Sequence, residues 1–155
     1  MRLKHHITVA YTSKNAKYGH TNILWVGKHS PLLSQIRYLE NKIGPIKIVA
    51  ISGMVTDAET VLKAAEANNV AYIIPILPMS FIAKLIKMAR GKYVFLWADM
   101  KLIHKRNVGE ISNPYECELY NPETDIIIFS PNVIRHLRFQ RFRIIKEVRL
   151  VLEPF

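Results

Sequence analysis

The chain has 155 residues, a formal net charge of +10 and a hydrophobic share of 50%. A chain of this length fits one domain that can bury a core, and so high a hydrophobic share excludes a disordered protein. The single cysteine, Cys117, excludes an internal disulfide framework and a cysteine-rich zinc site. Apolar runs stay shorter than the ~18 residues of a membrane span and no signal peptide is recognisable, so we expect a cytoplasmic protein.

Apolar patterning predicts a short strand at 7–11 and then alternating strands and helices from residue 22 to residue 97. The strands are predicted at 7–11, 22–27, 46–51, 70–77 and 93–97, and the helices at 31–43, 56–67 and 78–90. Hydroxyl side chains lie at the start of each helix, which predicts Ser30, Thr56 and Ser80 as caps. Pro75 lacks the N–H that a central strand uses in its ladder, so it predicts an edge strand or a bulge at 70–77.

This alternation predicts the α/β class, with a Rossmann-like, mostly parallel sheet, flanking helices and a C-terminal β-rich extension. We expect a single domain over 1–155, with a βαβαβαβ core at 22–100 and an α+β extension at 101–155. In the extension, residues 133–142 fit either a short helix or a β segment. The other extension segments are a predicted loop at 103–114 and predicted strands at 116–120, 125–130 and 144–152.

The carboxyl ends of the predicted parallel strands form a candidate ligand site, because ligands of open α/β sheets bind there, beside helix N-termini that suit phosphate. Lys28 and His29 follow one such strand, and a core role is awkward for His29. The other ligand-binding candidates at these strand ends are Gly27, Ser30, Ser52, Gly53, Ser80 and Asp99. The alternatives are helix caps for Ser30 and Ser80, tight turns for the glycines, and an ion pair with a neighbouring lysine for Asp99.

Several enzyme classes are disfavoured by the motifs. The sequence contains neither GxxxxGK[ST] nor GxGxxG, which disfavours ATPases and nicotinamide-dependent dehydrogenases. No metal site is predicted, because the paired carboxylates Glu116 and Glu118 have no nearby histidine. No cofactor is predicted either.

A second candidate surface is the segment 135–143, in which basic and aromatic residues alternate. The predicted nucleic-acid surface consists of four arginines: Arg135, Arg138, Arg141 and Arg143. In a helix, the first three share one face at a spacing that fits a phosphate backbone, and Phe139 and Phe142 are able to stack on bases. The alternative is that both phenylalanines enter the core. The few amides, many isoleucines and many charges are also typical of a thermophilic source, which offers a non-functional origin for the charge.

Two segments each lead from a predicted strand into a predicted helix: Trp25-Val26-Gly27-Lys28-His29-Ser30-Pro31 and Ile76-Leu77-Pro78-Met79-Ser80. Through these segments, residues 23–100 resemble the small Rossmann-like proteins that accompany CRISPR systems, the CARF-type and ring-nuclease-like domains. The resemblance implies a homodimer that binds, and in some members cleaves, cyclic oligoadenylates between its subunits. It implies ligand contacts by Lys28, His29, Ser30 and Ser80, and it leaves the basic C-terminal third without a counterpart.

Two functions are therefore favoured, and both expect an anionic partner and no membrane. A third, a small-molecule enzyme or an assembly subunit, has no specific feature of the sequence in its favour. The first is a nucleotide- or RNA-phosphate-binding protein that binds or cleaves cyclic oligoadenylate, in the latter case as a metal-independent phosphodiesterase or ribonuclease. Such cleavage needs the ribose 2′-hydroxyl aligned on its phosphate, with Lys28 stabilising the developing charge and His29 moving a proton as the catalytic pair. The second is a non-enzymatic DNA- or RNA-binding protein of a mobile element or virus that uses the basic C-terminal segment.

Overall fold

A computed structural model describes residues 5–53, 55, 57–107, 109, 113–149 and 151–155, with the backbone alone for His5. The strands in these residues are β1 (His5–Thr12), β2 (Thr21–Val26), β3 (Ile46–Gly53), β4 (Tyr72–Pro75), β5 (Val94–Asn107), β6 (Asp125–Phe129) and β7 (Val133–Ile144). The helices are α1 (Leu33–Ile43), α2 (Ala58–Ala67) and α3 (Met79–Ala89). Two short 3-10 turns lie at Ala16–Tyr18 and Pro114–Glu116.

The strands form one mixed seven-stranded sheet in the order β1-β3-β2-β4-β5-β7-β6. The four neighbouring strands β3, β2, β4 and β5 run parallel to one another. In contrast, β1 pairs with β3, and β7 pairs with both β5 and β6, in antiparallel fashion. The predicted α/β class is confirmed, whereas the prediction of a mostly parallel sheet is only partly correct, since the three outer pairings are antiparallel.

Helices cover both faces of the sheet, so the protein has two cores. On one face, α1 packs on a cluster that includes Trp25, Ile48 and Phe139. On the other face, α2 and α3 pack on a cluster that includes Leu24 and Val49. Successive side chains of a strand point to opposite faces. The uninterrupted apolar run of β2 follows from this double burial.

The long strand β5 joins the parallel sheet to the C-terminal strands β7 and β6. Its ladder with β7 contains a bulge, because Asp99 faces Arg141 while Met100 faces Phe139, which leaves Gln140 without an opposite residue. Such an extra residue changes the face to which the following side chains point. Phe139 and Phe142, which are three residues apart, therefore enter the same core, where both rings contact the ring of Tyr38.

The structure corrects several predictions for the extension. Residues 103–107, predicted as a loop, continue β5, and residues 116–120, predicted as a strand, form turns. The β alternative for 133–142 is correct. The strand predicted at 144–152 is wrong for 145–149. The ladder between β7 and β5 ends with the pair of Ile144 and Leu96 and the bond from the Ile145 N–H to the Phe95 carbonyl, because β5 itself begins at Val94.

Pro75 lies in an interior strand, so the prediction of an edge or a bulge there is wrong. It is the last residue of β4 and pairs in register with Val26 of β2. On the other side, β5 pairs only with Tyr72 and Ile73 of β4. The ladder between β4 and β5 therefore ends before Pro75, and the missing N–H of the proline breaks no hydrogen bond with β5.

The predicted helix caps are also corrected. Helix α1 begins after Leu32 and α3 begins after Pro78, so Ser30 and Ser80 are not the capping residues. Thr56 lies outside the described residues. Asp57 caps α2, because its carboxylate accepts a 2.7 Å hydrogen bond from the Thr60 N–H.

A buried carboxylate anchors β6 and the turn before it to β7. The side chain of Asp125 is fully buried. It accepts hydrogen bonds of 2.6–3.0 Å from Nε of Arg138, Nε2 of His136, Oγ1 of Thr124 and the Asn121 N–H. Burial raises the pKa of Asp125, but these hydrogen bonds outweigh burial and hold the pKa well below its ordinary value. The turn also contacts α1, because the Glu123 carbonyl accepts a hydrogen bond from the Ser34 N–H.

Candidate functional site

The parallel strands contain a topological switch point between β2 and β4. From β2 the chain passes to β3 on one side of the sheet, and then to β4 and β5 on the other side. The loops at the carboxyl ends of β2 and β4 diverge at such a point and leave a crevice, which is where open α/β sheets bind ligands. In this protein a cavity of about 200 Å³ opens at the crevice.

The walls of the cavity come from three parts of the chain. The strand ends supply Trp25, Pro75, Ile76 and Leu77, and the loop before α1 together with its first turn supplies His29, Ser30 and Gln35. The β5–β7–β6 strands supply Trp97, Ala98, Met100, Ile126, Ile128 and Leu137. The extension thus forms a third wall over the crevice. A mostly apolar cavity with a few polar groups is typical of a small-molecule site.

The loop after β2 is fixed at two points. The indole Nε1 of Trp25 donates a 2.7 Å hydrogen bond to the His29 carbonyl. A Cβ added at Gly27 would lie 2.7 Å from Cβ of Ile76, so only glycine fits this close approach. The fixed backbone leaves the side chains of Lys28, His29 and Ser30 exposed at the crevice.

Gln35 is the most buried polar residue of the cavity wall, with 4% of its surface exposed. Its Oε1 accepts a 2.8 Å hydrogen bond from the Leu32 N–H, which fixes the orientation of the amide. Among the residues that the structure describes, none accepts a hydrogen bond from Nε2 of Gln35. Nε2 of Gln35 is not among the fully buried polar atoms without a partner in these residues, so the donor of this largely buried residue is accessible from the cavity.

Two helix N-termini flank the crevice. Neither α1 nor α3 has an acidic residue in its first turn, unlike α2, which begins with Asp57 and Glu59. Two of the early N–H groups at α1 are already bonded, that of Leu32 to Gln35 and that of Ser34 to the Glu123 carbonyl. The positive end of each helix dipole favours an anion here.

The structure brings together only part of the predicted site. His29 and Ser30 line the cavity, while Gly27 and Lys28 lie in the same loop. Ser80 is exposed in the first turn of α3 and does not line the cavity. Ser52 and Gly53 pair with β1, and β3 lies on the side of β2 away from the crevice.

Asp99 and the predicted arginines do not form one surface. Asp99 contacts Arg141 and Arg143 at 3.1 and 3.3 Å, so the ion-pair alternative is observed, with arginines rather than with a lysine. Arg138 is bonded to Asp125. Arg135 shares a strand face with the cavity residue Leu137, whereas Arg138 alternates to the opposite face. Phe139 and Phe142 are buried, which is the core alternative for both.

Sequence reasoning missed Gln35, Trp97 and the wall from the extension. A signal for Gln35 was available, because it lies three residues after Leu32 and four before Leu39, on the apolar stripe of α1. A polar residue on such a stripe needs a partner. The extension gave no comparable signal, since its contacts with the crevice depend on the curl of the sheet.

Within the described residues, no helix combines the length and apolarity that a bilayer crossing requires. The same residues contain no cluster of His, Cys, Asp and Glu able to hold a metal ion. Comparison of the chain with protein-family models, curated proteins and solved structures finds no match.

Proposed function

We propose that this protein binds a nucleotide or a short RNA at the crevice between β2 and β4. The supporting observation is the cavity at the topological switch point, which His29 and Ser30 line and beside which the exposed Lys28 lies in the same loop. The parallel order β3-β2-β4-β5 with helices on both faces supports this assignment, because open α/β sheets bind ligands at such a switch point. A cyclic oligoadenylate is the first ligand to test, given the CARF-type and ring-nuclease-like resemblance.

In this proposal the phosphate groups lie at the crevice mouth. Lys28 is exposed and has no acidic partner among the described residues, so its charge is available to a ligand. His29 and Ser30 add hydrogen-bonding side chains, and the N-termini of α1 and α3 add dipoles of the same sign. The overall charge of +10 further favours an anion.

Cleavage is a further part of the proposal. The ribose 2′-oxygen would form a bond to its neighbouring phosphorus as the bond to the 5′-oxygen breaks, which leaves a 2′,3′-cyclic phosphate and a 5′-hydroxyl. Lys28 would stabilise the charge on the phosphate, and His29 would take the proton of the 2′-hydroxyl and give it to the departing 5′-oxygen. Since the crevice holds only one such pair, a homodimer would bring two of them to a cyclic ligand. Turnover of cyclic oligoadenylate, measured by chromatography of the products, separates an enzyme from a binding protein.

Lys28→Ala is expected to weaken binding of cyclic oligoadenylate about tenfold, because one charged hydrogen bond is worth roughly 1.5–3 kcal/mol and 1.4 kcal/mol is tenfold. His29→Ala is expected to remove any turnover with a smaller loss of affinity. The matched control is Lys87→Ala, which removes the same charge from the last turn of α3. Calorimetric titration measures the affinities, and equal affinity in the Lys28 and Lys87 variants would contradict the site.

A second candidate is a nucleic-acid strand on the face of β5 and β7 away from α1. One observation favours it: Trp97, Arg141 and Arg143 are exposed side by side on this face. Exposed aromatic and basic side chains suit stacking on bases and contact with phosphates. The pairing of both arginines with Asp99 weakens this candidate relative to the crevice.

A further inference from the structure

We propose that the cavity takes the base of the bound nucleotide, and that Gln35 recognises this base by donating a hydrogen bond to one of its acceptor atoms. This inference rests on the proposed function, since it assigns a second part of the same ligand. It adds Gln35 as a specificity-determining residue, deeper in the crevice than the loop 27–30 that would contact the phosphates.

The cavity walls suit a base and not a phosphate. Ile76, Leu77 and Met100 present hydrocarbon to the cavity, and the extension adds Ile126 and other apolar side chains. A phosphate inside such walls would lose its water without gaining charged partners. A nucleobase has two apolar faces and a polar edge, so it loses little when its faces contact these walls.

Gln35 supplies the one buried polar group that such a base would need. Because Oε1 accepts from the Leu32 N–H, the amide cannot turn over without losing that bond. Only the Nε2 donor is left for a ligand, and the described residues offer it no acceptor. A ring nitrogen or a carbonyl oxygen of a base would complete the hydrogen bonds of Gln35.

Trp97 lies at the edge of the cavity, on the strand that separates it from the opposite face of the sheet. The indole is 42% exposed although it belongs to a strand, and it also borders a second cavity, beside Met79 and Arg143. The indole points away from α1, so a base in the cavity would contact the other side of β5, where Ala98 and Met100 lie. The ribose and phosphate of the same nucleotide would then lie toward His29, Ser30 and Lys28.

The test compares AMP with ribose 5-phosphate by calorimetric titration of the full chain. We expect AMP to bind at least tenfold more tightly. Gln35→Met keeps the side-chain length and is expected to weaken AMP binding about tenfold while leaving ribose 5-phosphate unchanged. Lys28→Ala is expected to weaken both. The control is Gln140→Met, at the exposed bulge of β7, which should leave both affinities unchanged.

The outcomes separate this inference from the proposed function. Equal binding of AMP and ribose 5-phosphate, or AMP binding that is unaffected in Gln35→Met, contradicts base recognition alone. Binding of neither compound contradicts the proposed function as well. If the Gln35 variant does not fold, NMR spectra of the unmodified protein decide: AMP, but not ribose 5-phosphate, should shift the side-chain NH₂ signals of Gln35, and unshifted signals overturn the inference.

Discussion

Asp125→Asn is expected to lower the free energy of unfolding by about 3 kcal/mol, the lower end of the range for breaking a buried ion pair. The lower end applies because the partner Arg138 keeps 35% of its side chain exposed. The change removes the negative charge of a fully buried carboxylate that is bonded to both Arg138 and His136. For a chain of this length, the melting temperature should fall by roughly 6–12 °C.

The same substitution has a defined pH dependence. The hydrogen bonds to Asp125 hold its native pKa below the ordinary value of 3.8, so the native state binds fewer protons than the unfolded state in that range. A lowered carboxyl pKa stabilises the protein above the unfolded pKa, and this stabilisation is lost as the pH falls below it. The difference in stability between the unmodified protein and Asp125→Asn should therefore shrink as the pH falls below about 4.

The control for this prediction is Asp57→Asn, which makes the same chemical change at an exposed helix cap. Asparagine also caps helices, so we expect little change in melting temperature. Denaturant unfolding at several pH values provides the measurement. If Asp125→Asn were no less stable than Asp57→Asn at pH 7, the anchoring role of the buried carboxylate would be wrong.

Gly27→Ala is the second substitution with a large expected effect, because the added Cβ would lie 2.7 Å from Cβ of Ile76. Cβ of Ile76 cannot move without its backbone, whose N–H is bonded to the Val26 carbonyl at 2.7 Å. Overpacking of this kind costs about 1–3 kcal/mol. Since Ile76 and the loop after Gly27 both border the cavity, nucleotide affinity should fall together with stability.

A compensating substitution tests the cause. Ile76→Gly removes the atom that the new methyl group would meet, so the pair Gly27→Ala with Ile76→Gly should be less unstable than the sum of the two single changes predicts. Thermal unfolding and nucleotide titration of the three variants give the comparison. Strict additivity would show that the close approach of Gly27 and Ile76 is not the reason for the glycine.

The core of the fold was predictable because the pattern of apolar residues in its strands and helices indicates which side chains are buried. The uninterrupted apolar residues of β2 indicate burial on both faces, and the stripe of α1 indicates which side faces the sheet. The helix starts were less predictable. Ser30 has the chemistry of a cap, but the chain continues extended to Leu32 before the helix begins, and Gln35 bonds the Leu32 N–H in place of a hydroxyl.

The extension was harder to predict because long-range pairing decides its structure. Charged residues dominate the end of β5, so its sequence resembles a loop, yet β7 pairs with it as far as Asn107. The bulge at Gln140 breaks the alternation that would have separated the faces of β7. The same long-range curl brings Ile126, Ile128 and Leu137 to the crevice, so this part of the cavity wall had no local signal.

The central claim is that a nucleotide binds in the crevice between β2 and β4. The most direct measurement is a titration of isotope-labelled protein with cyclic oligoadenylate, followed by NMR. We predict shifts at 27–30, at 76–79, at the Gln35 amide and at the Trp25 indole, whose N–H is bonded to His29. Shifts confined to the face of Arg141 and Arg143, or no shifts at all, would contradict the claim.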